Sequence, residues 1–100
     1  MQETYFISEA AEQDIDDAIT YLASENVKSA QNFLDALYQA FDQLADNPLL
    51  GHLRDDLTNH PVRFWTFKWH YLVIYTIKKP IEIVRVLSGY RDITNLLCNF

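Results

Sequence analysis

Apolar residues recur at helical spacing in the first half of the chain and at strand spacing in the second. Ala11, Ile15, Ala18, Ile19 and Leu22 fall on one stripe of a helix. Ser8 stands just before that run, where its hydroxyl can accept a free N–H of the first turn. Glu9 and Glu12 then sit at the positive end of the helix dipole. The pattern predicts a first helix from Ser8 to Ser24. Ala30, Phe33, Leu34, Leu37, Phe41 and Leu44 make a second stripe, with Asn26 as its cap. That helix should stop near Asn47, because the residue before Pro48 is pushed out of the α region. The link from Ser24 to Asn26 is so short that the helices must pack as an antiparallel hairpin. Thr4 to Ile7 is a short β-prone run ahead of them.

Beyond Asn47 the period changes. Pro48-Leu-Leu-Gly51 reads as a turn, and the polar stretch from His52 to Pro61 as a loop. Strands are predicted at Val62–Phe67, Tyr71–Ile77 and Ile81–Leu87. The bends at Trp69-His70 and Lys78-Lys79-Pro80 are hairpin length, so the three strands should form an antiparallel meander. In the third strand Ile81, Ile83 and Leu87 share one parity, and Glu82 and Val84 the other. Arg85 falls on the parity of Ile83, where a charge needs a partner or access to solvent. Asp92 to Asn99 is weakly helical. The helical hairpin is long enough to return the chain so that the first strand joins the sheet. The expected fold is α+β: an N-terminal strand, the helical hairpin, the meander completing a four-stranded sheet with both helices on one face, and a short C-terminal helix. Residues 1–100 are expected to form a single domain.

Composition supports a folded chain. Hydrophobic residues make up 49% of the 100, enough for a core without disulfides or metal. The single cysteine, Cys98, cannot form an internal disulfide and points to a reducing compartment. No apolar run spans a membrane and no secretory signal opens the chain, so a cytoplasmic location is expected. The net charge of -6 is unevenly spread. Residues 1–46 hold ten acids and one base, and residues 47–100 hold four acids and seven bases, so the halves carry -9 and +3. The acidic total argues against general coating of nucleic acid, and no direct sequence-specific binding to it is expected.

Candidate chemistry is sparse. His52, His60 and His70 are not at ligand spacing with one another or with Cys98, so no metal site is expected. Two glycines make no phosphate-cradling loop, Ser88 before Gly89 is no nucleophile elbow, and no cofactor is implied. Cutting RNA requires neutralising a phosphate and moving protons. The residues able to contribute are Arg63, Lys68, His70, Arg85, Tyr90 and Arg91, with Arg63 and Arg85 as a possible phosphate clamp. Trp65, Phe67 and Trp69 share one parity. They are core if that face meets the helices, and otherwise an exposed aromatic platform suited to anchoring a partner.

The order of elements resembles the ParE/RelE superfamily of bacterial toxins over nearly the whole chain. The resemblance is carried by Ala30-Gln-Asn-Phe33-Leu34, by Leu44…Pro48-Leu-Leu-Gly51, by Arg63, by Tyr71-Leu-Val-Ile-Tyr75, and by the closing Ile83-Val-Arg85-Val-Leu-Ser-Gly89-Tyr-Arg91-Asp92. It is nearer the ParE branch. It implies the toxin of a type II toxin–antitoxin module that inhibits DNA gyrase by binding, has no catalytic residues of its own, and is held in a hetero-oligomer by a cognate antitoxin. The alternatives are a RelE-like ribosome-dependent mRNA endonuclease and a non-toxic module member that only binds its antitoxin. Ser88 stands where a His is common in the superfamily, and Tyr90 where many members have a small or basic residue. The binding residues expected on this footing are Arg63, Trp65, Trp69, Arg85, Tyr90 and Arg91.

Overall fold

The computed structural model describes residues 5–54, 61–67, 71–78 and 80–88. Strand β1 (Tyr5–Ile7) leads into helices α1 (Glu9–Glu25) and α2 (Val27–Asp46). A 3-10 turn (Pro48–Leu50) follows, then β2 (His52–Leu53), β3 (Arg63–Phe67), β4 (Tyr71–Thr76) and β5 (Ile81–Ser88). The helix boundaries follow from their caps. The Ser8 hydroxyl accepts the Ala11 N–H and starts α1. Asn26 serves both helices: its backbone N–H donates to the Leu22 carbonyl, and its side chain accepts from the Ser29 N–H.

The sheet has five strands in the order β1-β5-β4-β3-β2, one more than the sequence pattern predicts. The meander β3-β4-β5 is antiparallel, as expected. The extra strand is β2, where a loop was predicted; His52 faces Phe64 and Leu53 faces Arg63. A two-residue strand has no alternation to read, and this one is set by contacts to distant residues. At the other edge β1 runs parallel to β5, pairing Tyr5 with Ile81 and Ile7 with Ile83, so the sheet is mixed. The predicted C-terminal helix lies outside the described residues.

One face of the sheet carries the main core. Phe33, Leu37, Phe41 and Leu44 of α2 and Ile15 and Ala18 of α1 close over Val73, Tyr75, Ile81, Ile83 and Val86. Phe33 meets Phe67 edge-on with ring centroids 5.6 Å apart, and Tyr5 meets Phe41 at 5.4 Å. A second buried cluster, Val62, Phe64, Ile74 and Leu87, occupies the opposite face. Leu87 therefore does not share a face with Ile81 and Ile83. The cause is a register shift: Ile74 pairs with Arg85 but Tyr75 pairs with Ile83, which leaves Val84 as an extra residue. A bulge of one residue reverses the parity of everything after it. Val86 thus turns to the helices, and Leu87 turns away.

Tyr75 has a hydroxyl in this core and no exposed surface. It donates to the Pro48 carbonyl (2.6 Å) and accepts from the Gly51 N–H (2.8 Å). Replacing it by phenylalanine leaves two backbone groups unpaired and should cost about 1–3 kcal/mol in urea unfolding. Burial pushes the Tyr75 hydroxyl above its ordinary 10.0, while the Gly51 bond and the Arg63 charge pull the other way. Below that value tyrosine is protonated whether the chain is folded or not. Above it the unfolded chain releases a proton that folded Tyr75 keeps, so stability falls as pH rises. Unfolding of the native chain should steepen above pH 10.0 and the Tyr75→Phe variant should lose part of that dependence. Tyr5, raised by burial and by its neighbours Asp42 and Tyr38, should add to it.

Candidate functional site

β1 ends at Ile7, but β5 runs on to Ser88, so among the described residues part of its edge has no strand beside it. Helix α1 covers that edge with side chains. The Ser8 N–H donates to the Ile83 carbonyl (3.1 Å), and the Ser8 hydroxyl donates to the Val84 carbonyl (2.8 Å). Six residues further on, Asp14 Oδ2 accepts the Val86 N–H (3.0 Å). Two polar side chains thus complete the bonding that a longer β1 would have supplied.

Asp14 also answers the question raised by Arg85. Arg85 Nε donates to Asp14 Oδ2 at 2.7 Å and Arg85 Nη2 to Oδ1 at 2.9 Å, a two-pronged pair. The Asp14 side chain is 6% exposed and that of Arg85 20%. The hydrogen bond to Asp14 pushes the Arg85 pKa up; burial opposes it, and the attraction of the Asp14 charge adds to it. Arg85 is therefore cationic at every working pH, and its guanidinium is occupied by the fold.

Arg63 lies across β4 from Arg85, since Arg63 pairs with Tyr75 and Arg85 with the adjacent Ile74. The two side chains diverge. Arg63 Nη1 donates to the Gly51 carbonyl at 2.7 Å, toward the β2 edge, while Arg85 reaches the helix at the β1 side. Arg63 Nε is buried and has no hydrogen-bond partner among the described residues. The pair expected as a phosphate clamp is thus split between two structural tasks.

Trp65 is half-buried and packs against the helix-side core, next to Phe67 with centroids 6.5 Å apart. It forms one wall of a groove of about 340 Å³ whose other wall is Ala36, Gln39, Ala40 and Gln43 of α2. Among the described residues β2 covers only Arg63 and Phe64, so the edge of β3 from Trp65 to Phe67 has no strand beside it. Of the sequence-predicted binding residues, the structure places Arg63, Trp65 and Arg85 at three separate positions. Trp69, Tyr90 and Arg91 lie outside the described residues, as do Lys68, His70 and Cys98.

Sequence reasoning missed Asp14, Gly51 and Tyr75. Asp14 was legible: it lies between Ala11 and Ala18 on the apolar stripe of α1, and Arg85 lies among apolar positions of β5. Two misplaced charges of opposite sign are a pairing signal. Tyr75 was not legible, because a tyrosine in a strand looks the same whether its hydroxyl reaches solvent or a turn.

The family model for the ParE toxin of the type II toxin–antitoxin system parDE matches residues 5–93. The chain belongs to the ParE toxin family. Nine chains of solved structures match it. One, described as the chromosomal ParDE TA system from P. aeruginosa, has a TM-score of 0.69 and 18% identity, over 84% of this chain and 92% of that one. At that identity the likeness is one of fold. Among curated proteins no sequence matches. The matched span runs from β1 through the whole sheet, so the Asp14–Arg85 pair, the Tyr75 turn and the α2–β3 groove all lie within the ParE toxin region. No helix among the described residues is long and apolar enough to cross a membrane.

Proposed function

We propose that this ParE-family toxin inhibits DNA gyrase by binding it, and that a cognate antitoxin neutralises it in a hetero-oligomer. The observation that carries the first half is the divergence of Arg63 and Arg85. Cutting RNA requires cations that converge on one phosphate, and these two are held apart by Gly51 and Asp14. A binding inhibitor needs only surfaces. The purified chain should abolish gyrase supercoiling of plasmid DNA at saturation. Full supercoiling at that concentration would reject the gyrase reading, and cut messenger on translating ribosomes would favour a ribonuclease instead.

For the antitoxin, the α2–β3 groove is the seat the geometry supports best. It combines a half-buried Trp65, small alanines and an uncovered strand edge. Such a place can take an apolar side chain from a tail that orders on binding. Trp65→Ala should weaken toxin–antitoxin affinity by roughly tenfold or more, measured by calorimetry, because aromatic anchors carry a large share of interface energy. Trp69, Tyr90 and Arg91 remain candidates for contact with gyrase, and alanine variants at each should be scored in the same supercoiling assay.

A further inference from the structure

A cavity of about 180 Å³ opens between α1 and the β4–β5 end of the sheet, away from the α2–β3 groove. Ala18 and Val86 give it an apolar floor, Tyr21 and Tyr71 form aromatic walls, and Asp14 and Asp17 supply carboxylates. We propose that this cavity takes one basic side chain, arginine or lysine, from a partner polypeptide.

Three observations fix the chemistry. First, Asp14 is more than nine-tenths buried yet not saturated. Its Oδ2 accepts two bonds, from Arg85 Nε and the Val86 N–H, and its Oδ1 accepts one, from Arg85 Nη2. A carboxylate has about four acceptor positions, so among the described residues one on Oδ1 is open. Asp17 likewise gives only Oδ1, to Gln13 Nε2 at 3.0 Å. The cavity thus offers acceptors to a donor. Second, its charge is incomplete among the described residues. Asp14 and Arg85 cancel, Asp17 does not, and a single added cation restores neutrality. Third, Tyr21 is 64% exposed and contributes nothing to the core, while the Tyr71 ring is held by Phe33 at 5.1 Å. Two aromatic rings beside a carboxylate favour a cation on an apolar stem. The stem would lie on Ala18 and Val86, and the charged head would reach Asp17 and the open side of Asp14.

A polypeptide is the source rather than a free amine. The cavity opens beside α1, which carries Glu9, Glu12, Asp16, Asp17 and Glu25 and no basic residue. A small amine would fill the cavity but leave those carboxylates and the exposed Tyr21 ring uncovered. The proposal does not depend on what the toxin inhibits.

The test is a ¹⁵N–¹H titration of the full chain with the blocked peptide acetyl-Gly-Arg-Gly-amide. Saturable shifts are expected at the Ala18, Tyr21 and Val86 amides, with a dissociation constant on the order of millimolar. Asp17→Asn should weaken binding by roughly fivefold or more, and Asp16→Asn, which removes the same charge from the exposed face, by less than about twofold. Tyr21→Ala should weaken it as well. Equal loss in both Asn variants would show only a diffuse acidic field and overturn the proposal. So would identical shifts with the neutral citrulline peptide, or no saturable shift at these amides up to about 50 mM. Putrescine binding as tightly as the peptide would overturn the polypeptide source.

Discussion

Asp14→Ala is expected to destabilise the protein by about 3 kcal/mol, read from urea unfolding by tryptophan fluorescence. Three bonds go at once: both prongs to Arg85 and the acceptor for the Val86 N–H. Breaking a buried ion pair by removing one partner typically costs about 3–5 kcal/mol. The lower end applies because the Arg85 side chain is 20% exposed and can turn part of its guanidinium to water. The Val86 N–H has no such recourse, since β1 stops short of it. Asp14→Asn keeps an oxygen for that N–H but loses the charge, so it should fall between native and Asp14→Ala. Adding Arg85→Ala to Asp14→Ala should cost little more, because the partners' effects are not additive. A full additive loss would mean that each group acts alone. An Asp14→Ala variant within about 0.5 kcal/mol of native would show that the pair is a surface contact after all.

Gly51→Ala should be comparably damaging, again about 3 kcal/mol, and the reason is space rather than backbone strain. Gly51 has φ -76°, which any residue can adopt. A methyl group there would lie 2.6 Å from the Tyr75 hydroxyl, 2.8 Å from the Tyr75 ring and 3.0 Å from the Phe64 carbonyl. Neither neighbour can retreat: Tyr75 is fully buried and tied to Pro48, and Phe64 is in the sheet. The chain must therefore pull Gly51 away, giving up its bonds to Tyr75 and Arg63 and loosening β2 beside it. The same substitution in a Tyr75→Phe background should cost less, because the closest of the three contacts is gone. Undiminished loss in that background would locate the strain at Phe64 instead. Hydrogen exchange at His52 and Leu53 should accelerate more in Gly51→Ala than elsewhere in the sheet.

These two sites share a feature that bears on function. Each uses a basic residue that a list of cations would assign to a ligand. Arg63 serves the Pro48–Gly51 turn and Arg85 serves the α1–β5 joint. Alanine variants at either position would lower toxicity through folding alone. A binding role for them should be scored against the fraction of folded protein, for example by matching far-ultraviolet circular dichroism before the supercoiling assay.

The sequence by itself determined the helices, their caps, the meander and the family likeness. Helical stripes, Ser8, Asn26 and the residue before Pro48 act within a few positions of one another, so local spacing suffices to read them. It also held the clue to the Asp14–Arg85 pair, as two charges set on apolar faces. The tertiary structure alone decided the rest. It made β2 a strand, since two residues have no period and are placed by the bonds of the preceding Gly51 to Tyr75 and Arg63, 24 and 12 positions along the chain. It turned Leu87 from the helix face, since the extra residue of a bulge leaves no mark on composition. It also committed Arg85 to Asp14, 71 positions earlier in the chain. Local spacing reports which face a residue occupies, but only the folded chain brings the partner that decides what its charge is for.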